Sequence, residues 1–223
     1  MQKEEMITLK QQHLRQSSVR NIAADEADVF PAHVIGLCAT QMWRFGYLPE
    51  SEKLMNTVMD AVQKYCLSFS GEDTTVPCAF WLSNSHELLS LLCSTERELE
   101  REMQYNVMHG RRAVGWHDFE KLASNIKYEL QCLEDNIYHH WLTELKKKLE
   151  KIVVPAVIEH QSLPRFNADQ KNGMFGKYFS RSAPDFTMDD LLNFLNKIHR
   201  TMKCYYVEPS VLEQVFTELM RLI

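Results

Sequence analysis

The chain has 223 residues, 45% apolar and 25% charged, with a net charge of −5 and only 7 Gly and 7 Pro. That composition excludes an intrinsically disordered chain, a collagen-like or low-complexity tract and a turn-rich β-sandwich. The acidic balance also excludes a general nucleic-acid binder, and the length suffices for one or two domains with a buried core.

Residues 1–17 form a polar, Gln-rich helical stretch whose apolar members are Met6, Leu9 and Leu14. It has too few of them to fold alone, so residues 1–26 read as an N-terminal linker or the end of a preceding helix. Pro31 then opens a helix at a position where its missing N–H costs nothing. Val34, Leu37, Cys38, Met42 and Phe45 continue it, and Gly46 suits its stop. After a turn at Tyr47-Leu48-Pro49, a second helix spans about residues 50–69, with Leu54, Val58, Ala61, Val62, Tyr65 and Cys66 at three- and four-residue steps. Residues 71–76 read as a polar loop. Pro77 starts a third helix with Phe80, Trp81, Leu88, Leu91 and Leu92 inward, and its mixed-charge end at 95–102 reads as solvated. Residues 106–115, with two Gly and two Arg, read as a loop.

The longest element begins near Trp116. Its apolar positions are Phe119, Leu122, Ile126, Leu130, Leu133, Ile137, Trp141, Leu145, Leu149 and Ile152, a mean step of about 3.67 residues. A left-handed coiled coil needs about 3.5, so this is a long amphipathic helix with one stripe in a globular core. Pro155 kinks or ends it, with a short helical turn over 156–160. Residues 163–184 form a long loop. Thr187-Met188-Asp189-Asp190 resembles a capping box opening a helix with Leu191, Leu192, Leu195, Ile198 and Met202, with Phe186 as a staple. Pro209 opens the last helix. The fold class predicted is all-α, an elongated helical bundle with one long central helix. The final helix ends without a cap, so the chain reads as cut there, with a stripe of Val211, Val215, Phe216, Leu219 and Leu222 expected to be exposed in this segment.

Chemistry-bearing motifs are incomplete. His86-Glu87 begins a zinc-protease motif, but Ser90 replaces the second His. His139 and His140 are adjacent, point about 100° apart on a helix and cannot share a metal. The segment Gly173–Lys177 lacks the spacing of a phosphate loop. Asp189-Asp190 fits the positive end of a helix better than a catalytic pair. Lys146, Lys147, Lys148 and Lys151 read as a solvated face, with a contact for an acidic partner as the alternative; Arg101, Arg111 and Arg112 are equally open. The six cysteines include no CxxC pair and lie mostly in apolar runs, and there is no secretory leader. These features fit reduced thiols in a cytoplasmic protein. No apolar run approaches the roughly 18 residues of a membrane span. The residues alone therefore give a non-enzymatic helical scaffold without cofactor or metal, offering surfaces.

A set of ordered motifs carries the reading further. They are Phe30-Pro31-Ala32-His33-Val34-Ile35-Gly36, Met42-Trp43-Arg44-Phe45-Gly46, Phe80-Trp81-Leu82-Ser83-Asn84 with His86-Glu87-Leu88, Asn136-Ile137-Tyr138 with Trp141-Leu142, Ser162-Leu163-Pro164-Arg165-Phe166, and Thr187–Leu192 with Phe194 and Asn196. Over residues 27–223 they resemble the globular, cargo-binding tail of class V myosins, especially the fungal ones, and its dilute-type domain. Arg165 stands where fungal tails carry Gly. The resemblance implies the tail's first subdomain continuing into the start of the second, with the C-terminal half of the tail missing. It implies partners that are cargo adaptor proteins tethering organelles, vesicles or messenger-RNA particles for actin-based transport. It further implies a contact with the molecule's own motor head in autoinhibition, no direct nucleic-acid binding and no membrane insertion. The localisation it implies is cytoplasmic, along actin cables and at sites of polarised growth. A dilute-type tethering scaffold without a motor is the alternative.

In the organelle-carrying members an adaptor site lies on the long central helix, as an Asp, Leu, Asn, Asn stripe at i, i+4, i+7 and i+10. Alignment on Asn136-Ile137-Tyr138 puts Glu129, Leu133, Asn136 and His139 at those positions. Leu133 and Asn136 agree, Glu129 keeps the charge on a longer arm, and His139 departs. Such a stripe, one apolar anchor among polar neighbours, suits an adaptor helix or extended peptide. The bland alternative is that Leu133 is core and the others ordinary edge residues.

Overall fold

A computed structural model of the chain describes residues 29–109, 115–159 and 186–223. Among these the regular structure is all helical, as expected: α1 (Phe30–Arg44), α2 (Leu48–Leu67), a 3-10 turn (Gly71–Thr74), α3 (Thr75–Met108), α4 (Trp116–Val153), a π-helical turn (Val154–Glu159), α5 (Met188–Cys204) and α6 (Pro209–Met220). The expected linker, the 163–184 loop and the Ser162–Phe166 motif lie outside the described residues. The chain divides into two compact units, within α3 and within α4. The first holds the described residues up to Ser68 and Pro77–Tyr138; the second holds Phe69–Val76 and the described residues from His139 onward.

In the first unit, α1 packs through its small residues. Ala32, Gly36 and Ala39 are buried with Trp43, whereas Phe30, Val34, Leu37 and Phe45 are 43–73% exposed. Gly36 explains the choice of face. A Cβ there would lie 3.2 Å from Leu91 Cδ1 and 3.4 Å from Leu88 Cδ1, so the missing side chain lets α1 approach α3 closely. α1 has no side-chain cap of its own. Its buried Ala32 N–H donates instead to Asn84 Oδ1 of α3 at 3.1 Å, and Asn84 Nδ2 donates to Phe80 O at 3.0 Å. At its other end, Gly46 at φ +75° completes a Schellman turn, with Tyr47 N–H donating to Met42 O and Gly46 N–H to Trp43 O.

α2 begins at Leu48 rather than after Pro49, since proline fits the first turn. Its core face is Ser51, Met55, Met59, Val62 and Cys66, so Ala61 and Tyr65 point outward and Leu54 and Val58 are half-buried. The 71–76 loop is corrected to a 3-10 turn followed directly by α3. Pro77 falls inside the first turn of α3, where its lost donor is still free. α3 continues to Met108, because its first breaker is Gly110. Phe80, Trp81 and Leu91 are half-buried rather than core, while Leu88 and Leu92 are buried. The charges at its far end are partly used: Arg44 bridges Glu98 and Glu102 at 3.3 and 3.2 Å, and Lys127 of α4 meets Glu96.

All ten apolar positions of the long helix, Phe119 to Ile152, are buried. The second unit contains its last turns, from His139. Here the π-helical turn at Pro155 replaces the expected plain helical turn and packs against α5. The capping box is present: Thr187 Oγ1 accepts from Asp190 N–H, and Asp190 Oδ2 accepts from Thr187 N–H at 2.8 Å. These bonds hold the Asp190 carboxyl below its ordinary range. On α5, Phe194 takes the buried place expected of Leu192, which is 50% exposed. On α6, Val215 and Leu219 are fully buried and Val211 and Phe216 half-buried, which corrects the expected exposed stripe; of its members Leu222 alone is exposed, beside Met220 and Ile223.

Three of the four clustered lysines are paired within the unit, while Lys151 is exposed as a solvated face would have it. Lys146 pairs with Glu218 at 2.7 Å, Lys147 with Glu144 at 2.6 Å and Lys148 with Glu72 at 3.3 Å. Glu72 also binds Lys197 at 3.0 Å, and Glu144 accepts from Gly71 N–H at 2.8 Å. These carboxylates tie the 3-10 turn, α4, α5 and α6 together within the unit. Their cationic partners lower them: Lys197 first for Glu72, Lys147 first for Glu144, and Lys146 first for Glu218.

Candidate functional site

In the first unit, α2 and α4 line a groove of about 690 Å³. Its floor is apolar: Met59 from α2 and Leu133 from α4 are 6% and 4% exposed. Each sits where its helix turns its core stripe toward the other, so the groove exists because these two stripes meet. Cys132 adds a half-buried thiol, and Pro49 also lines the groove. The walls are polar. Asn56, Thr57 and Gln63 come from α2 and Asn136 from α4. The lining holds three carboxylates, Glu52, Asp60 and Glu129, and one lysine, Lys53, a formal excess of two negative charges.

The groove thus combines a greasy floor, amide groups able to donate and accept, and an acidic rim. Such a surface has the chemistry to receive a peptide: apolar area for a side chain, amides for a backbone and carboxylates for basic neighbours. It has no arrangement for bond making. Asp60 pairs with Lys64 at 3.3 Å on the exposed side of α2. Tyr128, one turn before Cys132 on α4, is raised above the usual phenol range by a hydrogen bond with the Cys132 thiol.

Of the four residues expected from sequence, Glu129, Leu133 and Asn136 are brought together in this groove. His139 is exposed, falls in the second unit and is not among the lining residues. The α2 wall was not anticipated. Its polar positions 52, 53, 56, 57, 60 and 63 look in sequence like any solvated helix face, and only the amide content of that face offered a signal. The other flagged residues have structural places. His86 is exposed with Nδ1 4.0 Å from Glu134 Oε1, His33 Nε2 is 3.2 Å from Glu87 Oε1, and His140 Nε2 is 3.2 Å from the Phe69 carbonyl. Among the described residues no group of three or more His, Cys, Asp or Glu is placed to hold a metal ion, and no helix is long and apolar enough to cross a membrane.

No family model matches the chain. Over 195 residues, 87% of its length, it is 33% identical to Myosin-2A of Naumovozyma castellii and 31% identical to Myosin-2 of Saccharomyces cerevisiae. Among solved structures it is similar to Myo2-GTD, a globular tail domain, in complex with Inp2 (TM-score 0.70, 28% identity) and in complex with Mmr1 (TM-score 0.71, 29% identity). It is also similar to a myosin V cargo binding domain (TM-score 0.66, 29% identity). Each of these alignments covers 87% of this chain. The chain spans 12% of the length of the curated relatives it matches, and 44–45% of the solved tail chains.

Proposed function

Because the chain belongs to the globular tails of class V myosins, being matched by myosin relatives and by solved tail domains over 87% of its length, we propose that it is a cargo-binding module that recognises adaptor proteins through the α2–α4 groove. The matched solved chains are cargo-binding tails and not motor heads, so this segment is not an enzyme. In this reading residues 27–223 supply the tail's first subdomain and the start of its second. The adaptors link the tail to organelles, vesicles or messenger-RNA particles for actin-based transport. The whole molecule works in the cytoplasm, along actin cables and toward sites of polarised growth, with its motor head as a second, autoinhibitory partner of the tail.

The observation that supports the groove is the joint placement of Leu133 and Met59 in its floor with Glu129 and Asn136 on its wall. Three of the four positions aligned with the family's adaptor stripe share one concave surface with an acidic excess. Glu129 and Asn136 are exposed, so they can change without disturbing the core.

The test is isothermal calorimetry of the purified chain with the Mmr1, Inp2 and Smy1 polypeptides, the partners in the solved tail complexes. At least one is expected to bind. Asn136→Asp and Glu129→Lys each weaken that binding about tenfold, a loss of about 1.4 kcal/mol, while thermal midpoints stay near the unsubstituted value. Unchanged affinity in both variants sinks the groove assignment; no binding by any of the three sinks adaptor recognition by this segment.

A further inference from the structure

The start of α1 lies next to the α2–α4 groove. A small internal cavity is lined by Met59 and Leu133, the two floor residues of the groove, together with Ala32 and Ile35. Ala32 and Ile35 belong to the first two turns of α1, so the helix begins beside the groove floor. The chain that precedes α1 joins the fold at that same place. Residues 21–28 separate α1 from residue 20 and, at about 3.3–3.6 Å per residue, reach at most roughly 29 Å. The groove wall from Glu52 to Gln63 on α2 is roughly 16 Å long at about 1.5 Å per residue. A segment ending at residue 20 is therefore within reach of either end of the groove.

The charges on the two sides are complementary. Residues 6–20 carry Lys10, Arg15 and Arg20 and no Asp or Glu. The groove lining sets Glu52, Asp60 and Glu129, all exposed, against Lys53. Lys64, outside the lining, pairs with Asp60 at 3.3 Å, and the balance stays negative with it included. Residues 21–28 reverse the sign, with Asp25, Glu26 and Asp28 and no cation. An acidic rim repels that stretch and attracts the one before it, so the charge pattern makes 21–28 the connection and 6–20 the occupant. Met6, Leu9 and Leu14 bring apolar side chains for the floor, and Gln11, Gln12 and Gln16 bring amides for the polar walls.

We propose that residues 6–20 dock in cis in the α2–α4 groove, as an internal occupant that an adaptor must displace. This rests on the reading of that groove as a peptide site. Tethering holds the segment at a local concentration in the millimolar range, so an interaction too weak to retain a free peptide still keeps the groove occupied. The apparent affinity of an adaptor is then lowered in proportion to the fraction of chains whose groove is free. The segment thereby sets a threshold that only a well-matched partner passes.

The test uses the full chain with the photo-cross-linking residue p-benzoylphenylalanine in place of Leu14. It is irradiated in dilute solution, and the monomer is isolated and mapped by mass spectrometry. Adducts on residues 52–63 or 129–136 are expected. They should fall about threefold or more in Glu52→Lys with Asp60→Lys, two exposed positions, and return when Lys10→Glu, Arg15→Glu and Arg20→Glu are added, because the charges are then exchanged. Adducts elsewhere in the chain, adducts indifferent to these substitutions, or adducts confined to cross-linked dimers would each overturn the proposal. Should the doubly substituted chain fail to fold, Glu129→Lys tests the same rim. A second arm is calorimetry with the Mmr1, Inp2 and Smy1 polypeptides. Any that binds should bind about threefold or more tightly to the chain carrying Lys10→Gln, Arg15→Gln and Arg20→Gln, and unchanged affinity would overturn the displacement. The arms separate the two readings. Adducts as expected with no polypeptide bound support the docking and sink adaptor recognition; binding without adducts sinks the docking and leaves adaptor recognition standing.

Discussion

Asn84→Ala removes the side-chain acceptor through which α3 caps α1. The Ala32 N–H belongs to the first turn of α1, whose four leading donors have no partner inside the helix. Asn84 Oδ1 satisfies this one across 52 residues of sequence. Ala32 and Asn84 are each 1% exposed, so water cannot replace the lost acceptor. The Phe80 carbonyl loses only the Asn84 side-chain donor and retains its place in the helix ladder. The dominant cost is therefore one orphaned buried N–H, about 1–3 kcal/mol. For a chain of this size each kcal/mol lowers the thermal midpoint by about 2–4 °C, so a fall of about 4–8 °C is expected for a loss of about 2 kcal/mol. Hydrogen exchange makes the reading specific: the Ala32 amide, protected in the parent chain, should exchange much faster in the variant. A midpoint lowered by less than 1 °C, or an equal fall with Ala32 still protected, would refute this account of how α1 is capped.

Gly36→Leu should destabilise by at least 1–3 kcal/mol, read by chemical denaturation, because its side chain would drive into Leu88 and Leu91 where even a Cβ sits at 3.2 Å. Thr187→Ala should cost about 1 kcal/mol by removing the capping box of α5, and Thr187→Ser should restore it. Glu72, Glu144 and Glu218 all have folded-state values below the ordinary 4.5, so their contribution is fully present above that pH and is lost as pH falls below it. The thermal midpoint should accordingly drop as the pH passes from about 5 to 3, and Lys148→Gln with Lys197→Gln should flatten that drop. Binding of a basic adaptor segment in the α2–α4 groove should weaken between 50 and 500 mM salt, since its acidic rim is solvent-exposed; a flat salt dependence in calorimetry would remove the charge part of the argument.

What could be read from sequence follows from how far each signal reaches along the chain. The stripe of α4 repeats ten times on one helix, so its period alone fixes the buried face, and every member is buried. The capping box at Thr187 is likewise complete within four residues. α1 was harder. It has large apolar residues on one side and small ones on the other, and size argues for burying the former. The structure buries the latter, because Leu88 and Leu91 on α3 leave room only for a glycine surface. That fact lies more than 50 residues away. α6 errs in the other direction: Val215 and Leu219 belong to a terminal helix and still find cover within their own unit. For the groove, the α4 wall was visible through family resemblance, and the α2 wall was not visible at all. A polar helix face becomes a binding wall only when another helix stands beside it.

The exposed side of α1 bears on what kind of protein this is. Burying a large apolar side chain is worth about 1.5–3 kcal/mol, so a helix shaped for stability alone would turn Phe30, Val34, Leu37 and Phe45 inward. Here those four are left 43–73% exposed while Ala32, Gly36 and Ala39 share the core with Trp43. The groove on the same unit adds a charged, amide-lined surface. Stability is supplied instead by the α4 stripe and by cross-helix polar contacts such as Ala32–Asn84 and Arg44–Glu98–Glu102. A unit that secures itself through the buried stripe of α4 frees the outer faces of its other helices for recognition. That division of labour suits the adaptor recognition proposed for the first unit.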